Sequence, residues 1–123
     1  MKAKKVTPLF VVDRIEPALP QWEALGYEVK VRVPDEGPLG FVILGSKAGE
    51  LMFQTKKSLA ADVPQVAEKK PKALLYADVD SIADAKKALS GAEVLVARRR
   101  TFYGATEAWL ELEGGVIVGL AEH

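Results

Sequence analysis

The chain reads VDRIEPA at residues 12–18 and VDSIADA at residues 79–85, so a short segment occurs twice in nearly the same form. Two further pairs of segments match in the same order and at about the same spacing: GYEVKV at 26–31 with GAEVLV at 91–96, and 41–49 with 107–115. The spacing between partners stays at about 66 residues. A whole series repeated in order predicts the internal duplication of one module. Two copies of a module leave a cleft between them, and small-molecule sites are often found in clefts.

The length and composition favour one domain built from two half-domains. The 123 residues suit a single core, and we predict one domain over 1–123: module one at about 5–56, a connector at about 57–72 and module two at about 73–123. Apolar residues make up 49% and charged residues 28%, as in ordinary folded proteins. The net charge of zero gives no electrostatic reason to expect nucleic acid as a partner.

Several classes of site and location are disfavoured by what the sequence lacks. With no cysteine, the chain has no disulfide, thiolate metal site or cysteine nucleophile. Its one histidine is His123, which we expect to be exposed, so a serine triad is not expected either. The sequence has no run of 18 apolar residues and no signal-peptide core after its first lysines. We therefore expect a cytoplasmic protein that does not interact with membranes.

Hydrophobic periodicity predicts the same order of elements in both modules, one strand, one helix and then three strands. The predicted strands are 6–13, 27–33, 39–45 and 50–55 in module one, and 73–79, 93–98, 106–113 and 116–122 in module two. One helix starts near Pro17 or Ala18 and ends at Gly26, and the other spans 81–89 with a capping box made by Ser81 and Asp84. In the connector, Ser58 is a candidate cap for a short helix broken near Pro64.

A duplicated βαβββ module with Val-Asp before each helix, and with TFYG at 101–104 before the last hairpin, resembles the vicinal oxygen chelate superfamily. That superfamily includes glyoxalase, the extradiol dioxygenases, the fosfomycin-resistance enzymes and the bleomycin resistance proteins. Segments 50–54 and 101–105 look most like its small bacterial, bleomycin-resistance-like members. The resemblance implies an α+β fold in which the two tandem modules form a curved mixed sheet, with helices on the convex face and the ligand on the concave face. It also implies a homodimer.

The metal ligands that the resemblance implies are not present in the sequence. Enzymes of the superfamily usually hold a divalent metal through histidine on the first strand and glutamate on the last strand of each module. The matching positions fall near Thr7 and Leu74 on the first strands, and near Phe53 and Gly119 on the last strands. None of these residues is a histidine or a carboxylate, and a shift of one residue does not supply a metal site. We therefore expect no metal and no cofactor.

Alternation along the strand at 106–113 suggests where a ligand binds. Ala108, Leu110 and Leu112 suit the helix-covered face, so Trp109 and the glutamates beside it are expected on the concave face. Matching positions in module one would add Phe41, with Leu51 and Phe53 from its last strand. The predicted ligand-binding residues, all aromatic or acidic, are Phe41, Phe53, Tyr76, Tyr103, Glu107, Trp109 and Glu111. Aromatic rings would stack on a planar or cationic ligand, and the glutamates would attract a basic one.

Other interpretations of these residues remain open. The aromatic side chains can instead fill the barrel or a subunit interface, and Tyr103 can close the barrel end. In the run at 98–100, Arg99 is expected to point away from Arg98 and Arg100, either on a solvated edge or as part of an anion clamp. Carboxylate pairs such as Asp78 with Asp80 could act as acid and base. The sequence thus favours a metal-free binder of a small organic molecule, with drug sequestration as one role, over a lyase, isomerase or other enzyme that uses carboxylates.

Overall fold

The computed structural model describes residues 2–123. The strands are β1 Lys5–Val12, β2 Glu28–Val33, β3 Phe41–Ser46, β4 Gly49–Thr55, β5 Ala73–Asp78, β6 Glu93–Arg100, β7 Thr106–Glu111 and β8 Ile117–Glu122. The helices are α1 Leu19–Ala24, α2 Lys56–Asp62, α3 Pro64–Ala67 and α4 Ile82–Ala88, and single 3₁₀ turns occupy Glu16–Ala18 and Glu113–Gly115. No helix among these residues is long and apolar enough to cross a membrane.

The chain divides into two compact units. The N-terminal unit is Pro8–Ala73, and the C-terminal unit combines Leu74–His123 with the residues up to Thr7. In the N-terminal unit the strands are hydrogen-bonded in the order β2-β3-β4-β1, with β1 parallel to β4 and the other pairs antiparallel. In the C-terminal unit the order is β6-β7-β8-β5, with β5 parallel to β8. The two units therefore have the same topology, and the predicted α+β fold of two βαβββ modules is confirmed.

The helix-side core of the N-terminal unit is rich in aromatic side chains. Phe53 of β4 is only 5% exposed and packs against Phe10 of β1 and Trp22 of α1, with ring centroids 5.4 and 6.3 Å apart. Trp22 also meets the edge of Tyr27, at 5.3 Å. Around these rings lie the buried aliphatic residues Ile15, Leu39, Val42, Leu44 and Leu51. These contacts anchor α1 to the sheet although no residue of that helix is itself fully buried.

The placement of Leu51 and Phe53 on the same face as Phe41 was wrong. Phe53 lies directly across from Val42, a residue of the helix-side core, whereas Phe41 lies across from Gln54. Residues directly opposite each other in a sheet share a face, so Phe53 and Phe41 point to opposite sides. The prediction matched Phe53 to Gly119 by assuming a constant spacing of 66 residues between the modules. A shift of one residue moves a strand's side chains to the other face.

The helix-side core of the C-terminal unit is aliphatic. It contains Ala77, Val79, Ile82, Ala85, Ala108, Leu110, Val118 and Leu120. The helix-facing positions of β7 are therefore Ala108 and Leu110, as predicted from alternation. Glu107 and Trp109 lie on the opposite face of that strand, which we call the inner face of the C-terminal unit.

Hydroxyl groups cap the N-termini of α2 and α4. The Ser81 Oγ atom accepts a hydrogen bond from the Asp84 backbone N–H at 3.1 Å, which confirms Ser81 as the cap of α4. Thr55, one strand residue before α2, accepts from the Ser58 N–H at 3.1 Å. The cap of α2 is therefore Thr55, and the prediction of Ser58 was wrong. Ser58 instead accepts a hydrogen bond from the Gln54 amide at 3.0 Å.

Candidate functional site

A buried carboxylate lies at the centre of the inner face of the C-terminal unit. Glu107 is 3% exposed, because it belongs to β7, an interior strand of its sheet. Its backbone partners are Arg99 on β6 and Ala121 on β8. A carboxylate removed from water requires hydrogen-bond donors or a counter-charge, since desolvation of an unpaired charge costs several kcal/mol, about 3 to 5 when a partner is lost.

Four side chains supply those donors, two to each carboxylate oxygen. The hydroxyls of Tyr76 and Tyr103 donate to the Glu107 Oε2 atom, the second over 2.7 Å. The Trp109 indole N–H donates to Oε1 over 3.1 Å, and the Arg99 guanidinium does so over 3.3 Å. The arginine also provides the positive charge that balances the carboxylate. The acceptor capacity of Glu107 is thus largely used, and its charge is compensated inside the protein.

The two phenols form a pair. The Tyr76 and Tyr103 hydroxyl oxygens are 2.8 Å apart. Burial raises the pKa of Tyr76 far above its ordinary value of 10, and the hydrogen bond to Glu107 raises it further. Burial also raises the pKa of Tyr103, to about 12, with Glu107 acting in the same direction. Both phenols therefore keep their protons at neutral pH and remain hydrogen-bond donors.

Tyr103 reaches this cluster from a turn between β6 and β7. The turn is closed at its base, where Thr101 N–H donates to the Ala105 carbonyl at 2.8 Å and Ala105 N–H donates to the Thr101 hydroxyl at 2.9 Å. Gly104 has φ +89°, a conformation that glycine adopts without strain. Phe102 is 88% exposed and Tyr103 53% exposed, whereas Thr101 and Ala105 are buried. The base is thus fixed, and the tip carries two exposed aromatic rings.

Trp109 lies over Gly119, where the sequence resemblance predicts the last metal ligand. A Cβ atom added to Gly119, directly across from Trp109 on β8, would lie 2.6 Å from the indole ring. The ring therefore occupies the space that a longer side chain at position 119 would need. Its centroid is 6.0 Å from that of Tyr76, so the indole and the phenol form one aromatic wall.

The residues at the expected metal positions do not fit a metal ion. Leu74 and Phe53 are buried hydrocarbon side chains, and Gly119 has no side chain to offer. Thr7 supplies a neutral hydroxyl, which is a weak ligand compared with imidazole or carboxylate. Across residues 2–123, no group of three or more histidine, aspartate or glutamate side chains is arranged to hold a metal. The chemistry of the superfamily's metal centre therefore has no donor set in this part of the chain.

The structure brings together four of the seven residues proposed to bind a ligand, namely Tyr76, Tyr103, Glu107 and Trp109. Phe41 is half-buried in the N-terminal unit, and Phe53 belongs to the helix-side core there. Glu111 lies at the end of β7, across from Ile117 on β8 and Glu93 on β6.

Sequence reasoning missed Arg99 as a partner of Glu107. The run at 98–100 gave the signal, because Arg99 was expected to point away from its two neighbours, and it is half-buried while they are exposed. The pairing itself depends on an irregularity of β6. Val96 lies across from Trp109 and Arg99 across from Glu107, so three residues of β6 span two of β7. That bulge turns the Arg99 side chain toward the inner face.

A second polar contact involves the remaining candidates for acid and base. The His123 imidazole Nε2 lies 3.3 Å from the Asp78 carboxylate, and both side chains are accessible to water. Asp80, the other member of the predicted carboxylate pair, instead makes a surface ion pair with Lys4 at 3.0 Å. Asp78 and Asp80 therefore have different partners.

Comparison with solved structures places this geometry in a known fold. A glyoxalase/bleomycin resistance protein/dioxygenase superfamily member from Vibrio splendidus 12B01 is similar over 97% of this chain and 98% of its own, with 18% identity and a TM-score of 0.72. The chain has the glyoxalase/bleomycin resistance fold. A hypothetical protein from Bacillus halodurans C-125 matches over 97% of this chain and 94% of its own, at 17% identity and a TM-score of 0.70. A protein from Staphylococcus aureus matches over 99% of this chain and 98% of its own, with 17% identity and a TM-score of 0.67.

No protein-family model matches the chain, and no curated protein sequence matches it. The glyoxalase/bleomycin resistance fold is thus shared at the level of backbone architecture. Function therefore has to be inferred from the residues on the inner face and not from the fold.

Proposed function

We propose that the chain binds a small organic molecule without a metal ion, against the exposed ring of Tyr103 and the partly buried ring of Tyr76, which packs against the buried indole of Trp109. The observation that carries this proposal is the buried Glu107, whose carboxylate accepts hydrogen bonds from those three rings and fixes their positions. A ring held in place by a hydrogen bond presents a stacking surface without losing further conformational entropy when a ligand arrives.

The wall suits a planar aromatic ligand. Each good aromatic contact contributes roughly 0.5–1.5 kcal/mol beyond the area that it buries. The charge of Glu107 is balanced by Arg99, and Glu111 places a second carboxylate on the same strand. Sequestration of a planar, basic drug of the bleomycin type is therefore the specific role that we propose.

The hydrogen bonding favours binding over catalysis by Glu107. A general base has to accept a proton from the substrate, and all the strong acceptor positions of this carboxylate are directed at donors of the protein. Both tyrosines have raised pKa values and are poor sources of a phenolate nucleophile at neutral pH. The hydrogen bonds to Glu107 are better suited to positioning the three aromatic rings than to catalysis.

The experiment combines metal analysis with a ligand screen. The purified protein is assayed for bound metals by mass spectrometry, and its thermal unfolding is followed with bleomycin and with planar aromatic compounds with and without basic groups. We expect substoichiometric metal and a rise in melting temperature that Trp109→Leu diminishes. One tightly bound metal per chain, or no stabilisation by any aromatic compound, would overturn the proposal.

The contact between Asp78 and His123 supports an enzyme as the second candidate. A carboxylate beside an imidazole is an arrangement that general-base catalysis uses, and His123 could accept a proton while Asp78 orients it. Turnover of glyoxalase-type, isomerase or hydrolase substrates that is lost in both Asp78→Asn and Glu111→Gln would favour this candidate. Activity that persists in Asp78→Asn would argue against a role for this pair.

We also propose that the protein forms a homodimer. Strand β2 lies at the end of its sheet, and its residues Val29, Val31 and Val33 are exposed apolar side chains. An edge strand with exposed valines is suited to contact with another protein surface. Light scattering coupled to gel filtration measures the mass directly. A monomeric mass at micromolar concentration would contradict this part of the proposal.

A further inference from the structure

The Tyr103 side chain reaches into the inner face from outside the regular secondary structure. Its backbone lies on the exposed tip of the turn at 101–105, and its ring is half accessible to water. Its hydroxyl nevertheless contacts the buried Glu107 carboxylate at 2.7 Å and the hydroxyl of the partly buried Tyr76 at 2.8 Å. The other three donors to Glu107 belong to strands β5, β6 and β7. Tyr103 is therefore the one member of the cluster whose backbone is outside the sheet.

Removal of the Tyr103 side chain would leave a defined vacancy. The base of the turn is closed by the Thr101–Ala105 hydrogen bonds, which do not involve the Tyr103 side chain. The Glu107 Oε2 atom would lose one of its two phenol donors and keep Tyr76. The vacancy would then have the shape of a phenol, with a carboxylate and a hydroxyl at its inner end.

The charges around this position favour a neutral donor over a cation. Glu107 already has the Arg99 guanidinium on its other oxygen, so a second cation would be repelled by the arginine. A neutral hydroxyl adds a hydrogen bond without changing the charge balance, as the Tyr103 phenol itself does. The ring attached to that hydroxyl would lie beside Tyr76, where Tyr103 now lies.

From these contacts we propose that Tyr103 occupies a phenol-binding subsite as an internal mimic of the ligand. The subsite recognises a phenolic group, which replaces Tyr103 when the tip of the turn moves outward. Its hydroxyl donates to Glu107 beside the Tyr76 hydroxyl. This inference rests on the proposed binding function, which it sharpens by naming the chemical class of the group that is recognised.

The test uses p-cresol, which has the atoms of a tyrosine side chain, and the variant Tyr103→Ala. We expect Tyr103→Ala to bind p-cresol at least tenfold more tightly than the wild-type protein, since no internal phenol competes. Toluene, which lacks the hydroxyl, should bind this variant about tenfold or more weakly than p-cresol because it leaves Glu107 without that donor. Titration calorimetry gives the affinities, and the Trp109 indole N–H signal in NMR reports the site.

Two matched variants separate the subsite from general effects on the turn. Tyr103→Phe removes the hydroxyl that bonds to Glu107 but leaves a ring in the site, so it should bind p-cresol more weakly than Tyr103→Ala does. Arg100→Ala changes an exposed residue next to the turn and should behave as wild type. The double variant Tyr103→Ala with Glu107→Gln should lose about tenfold of the p-cresol affinity, because a neutral amide replaces the charged acceptor. If Tyr103→Ala does not fold, Tyr103→Ser serves in its place.

Equal affinity of the wild type and Tyr103→Ala for p-cresol would overturn the inference, and so would equal binding of p-cresol and toluene. Tighter binding of benzylamine than of p-cresol would overturn the assignment to phenols. These outcomes are distinct from failure of the proposed function. A wild-type protein that is stabilised by aromatic compounds but gains no p-cresol affinity in Tyr103→Ala retains the binding function and loses only the subsite.

Discussion

The two units share a topology but differ in which face of the strands carries their group of contacting aromatic side chains. In the N-terminal unit, Phe10, Trp22 and Phe53 pack together between helix α1 and the sheet. In the C-terminal unit the helix side is aliphatic, and Tyr76 and Trp109 lie on the inner face around Glu107. One arrangement secures a helix and the other surrounds a buried carboxylate. The two units thus share a strand order and differ in how the two faces are used.

The largest effect is expected from Phe53→Ala, which tests the structural role of the first aromatic group. The ring is buried against Phe10 and Trp22, so its loss should lower the free energy of unfolding by about 3–5 kcal/mol. Chemical denaturation measures the change. Phe41→Ala, on the opposite face of the same sheet and half-buried, is the control and should cost about 1 kcal/mol. Equal losses would mean that the aromatic side chains on the two faces of this unit contribute equally to its stability.

Glu107→Gln tests the second aromatic group. The amide keeps one acceptor oxygen but loses the charge that balances Arg99, and its NH₂ group leaves two of the four donors without an acceptor. We therefore expect a loss of about 2 kcal/mol. Glu113→Gln changes an exposed glutamate just beyond the same strand and should stay within about 0.5 kcal/mol of wild type. A stable Glu107→Gln protein would show that the cluster contributes little to folding.

Two glycine substitutions compare how tightly the faces are packed. Gly119→Ala should cost about 1–3 kcal/mol, because the new methyl group would lie 2.6 Å from the rigid, buried indole of Trp109. Gly45→Ala on β3 meets only the flexible Lys30 side chain, at 3.0 Å, and should be nearly neutral. Trp109 indole NMR shifts should change in the first variant and not in the second. The same cost in both would argue that the indole does not fill the space above Gly119.

The smallest effect concerns alkaline pH. The pKa of Tyr103 is about 12 in the folded protein, against about 10 in the unfolded chain, so the unfolded state loses this proton first as the pH rises. The stability that Tyr103 contributes is complete below pH 10 and is lost between about pH 10 and 12. Tyr103→Phe should therefore lose less stability than wild type over that range, as measured by denaturation at each pH. Parallel curves for the two proteins would contradict the raised pKa.

Much of the fold could be predicted from local patterns. Apolar and polar residues alternate along β7, and the alternation predicted correctly that Ala108 and Leu110 face the helix and Trp109 faces away. Gly26 ends the first helical segment, and Ser81 caps α4, because these effects act within a few residues. Repetition along the chain then predicted that the second module has the topology of the first.

The errors came from features that depend on contacts between strands. Met52 lies across from Ile43 as Gly119 lies across from Trp109, so Met52, and not Phe53, is the counterpart of Gly119. The spacing between the modules is therefore 67 residues at this strand (119 minus 52), and the difference of one residue reversed the predicted face of Phe53. The cap of α2 was predicted at Ser58, three residues after the actual cap Thr55. Both residues have a hydroxyl near the start of the helix, and Ser58 lies in its first turn.

The sequence by itself determined the duplicated module, the order of its elements and the absence of the superfamily's metal ligands from their expected positions. These properties follow from residue type and spacing along the chain. Only the tertiary structure decided that Arg99, Tyr76 and Tyr103 meet at Glu107, since the three come from two strands and a turn. The physical reason is that a buried carboxylate selects its donors by distance in space, and those distances depend on strand register and on the bulge in β6.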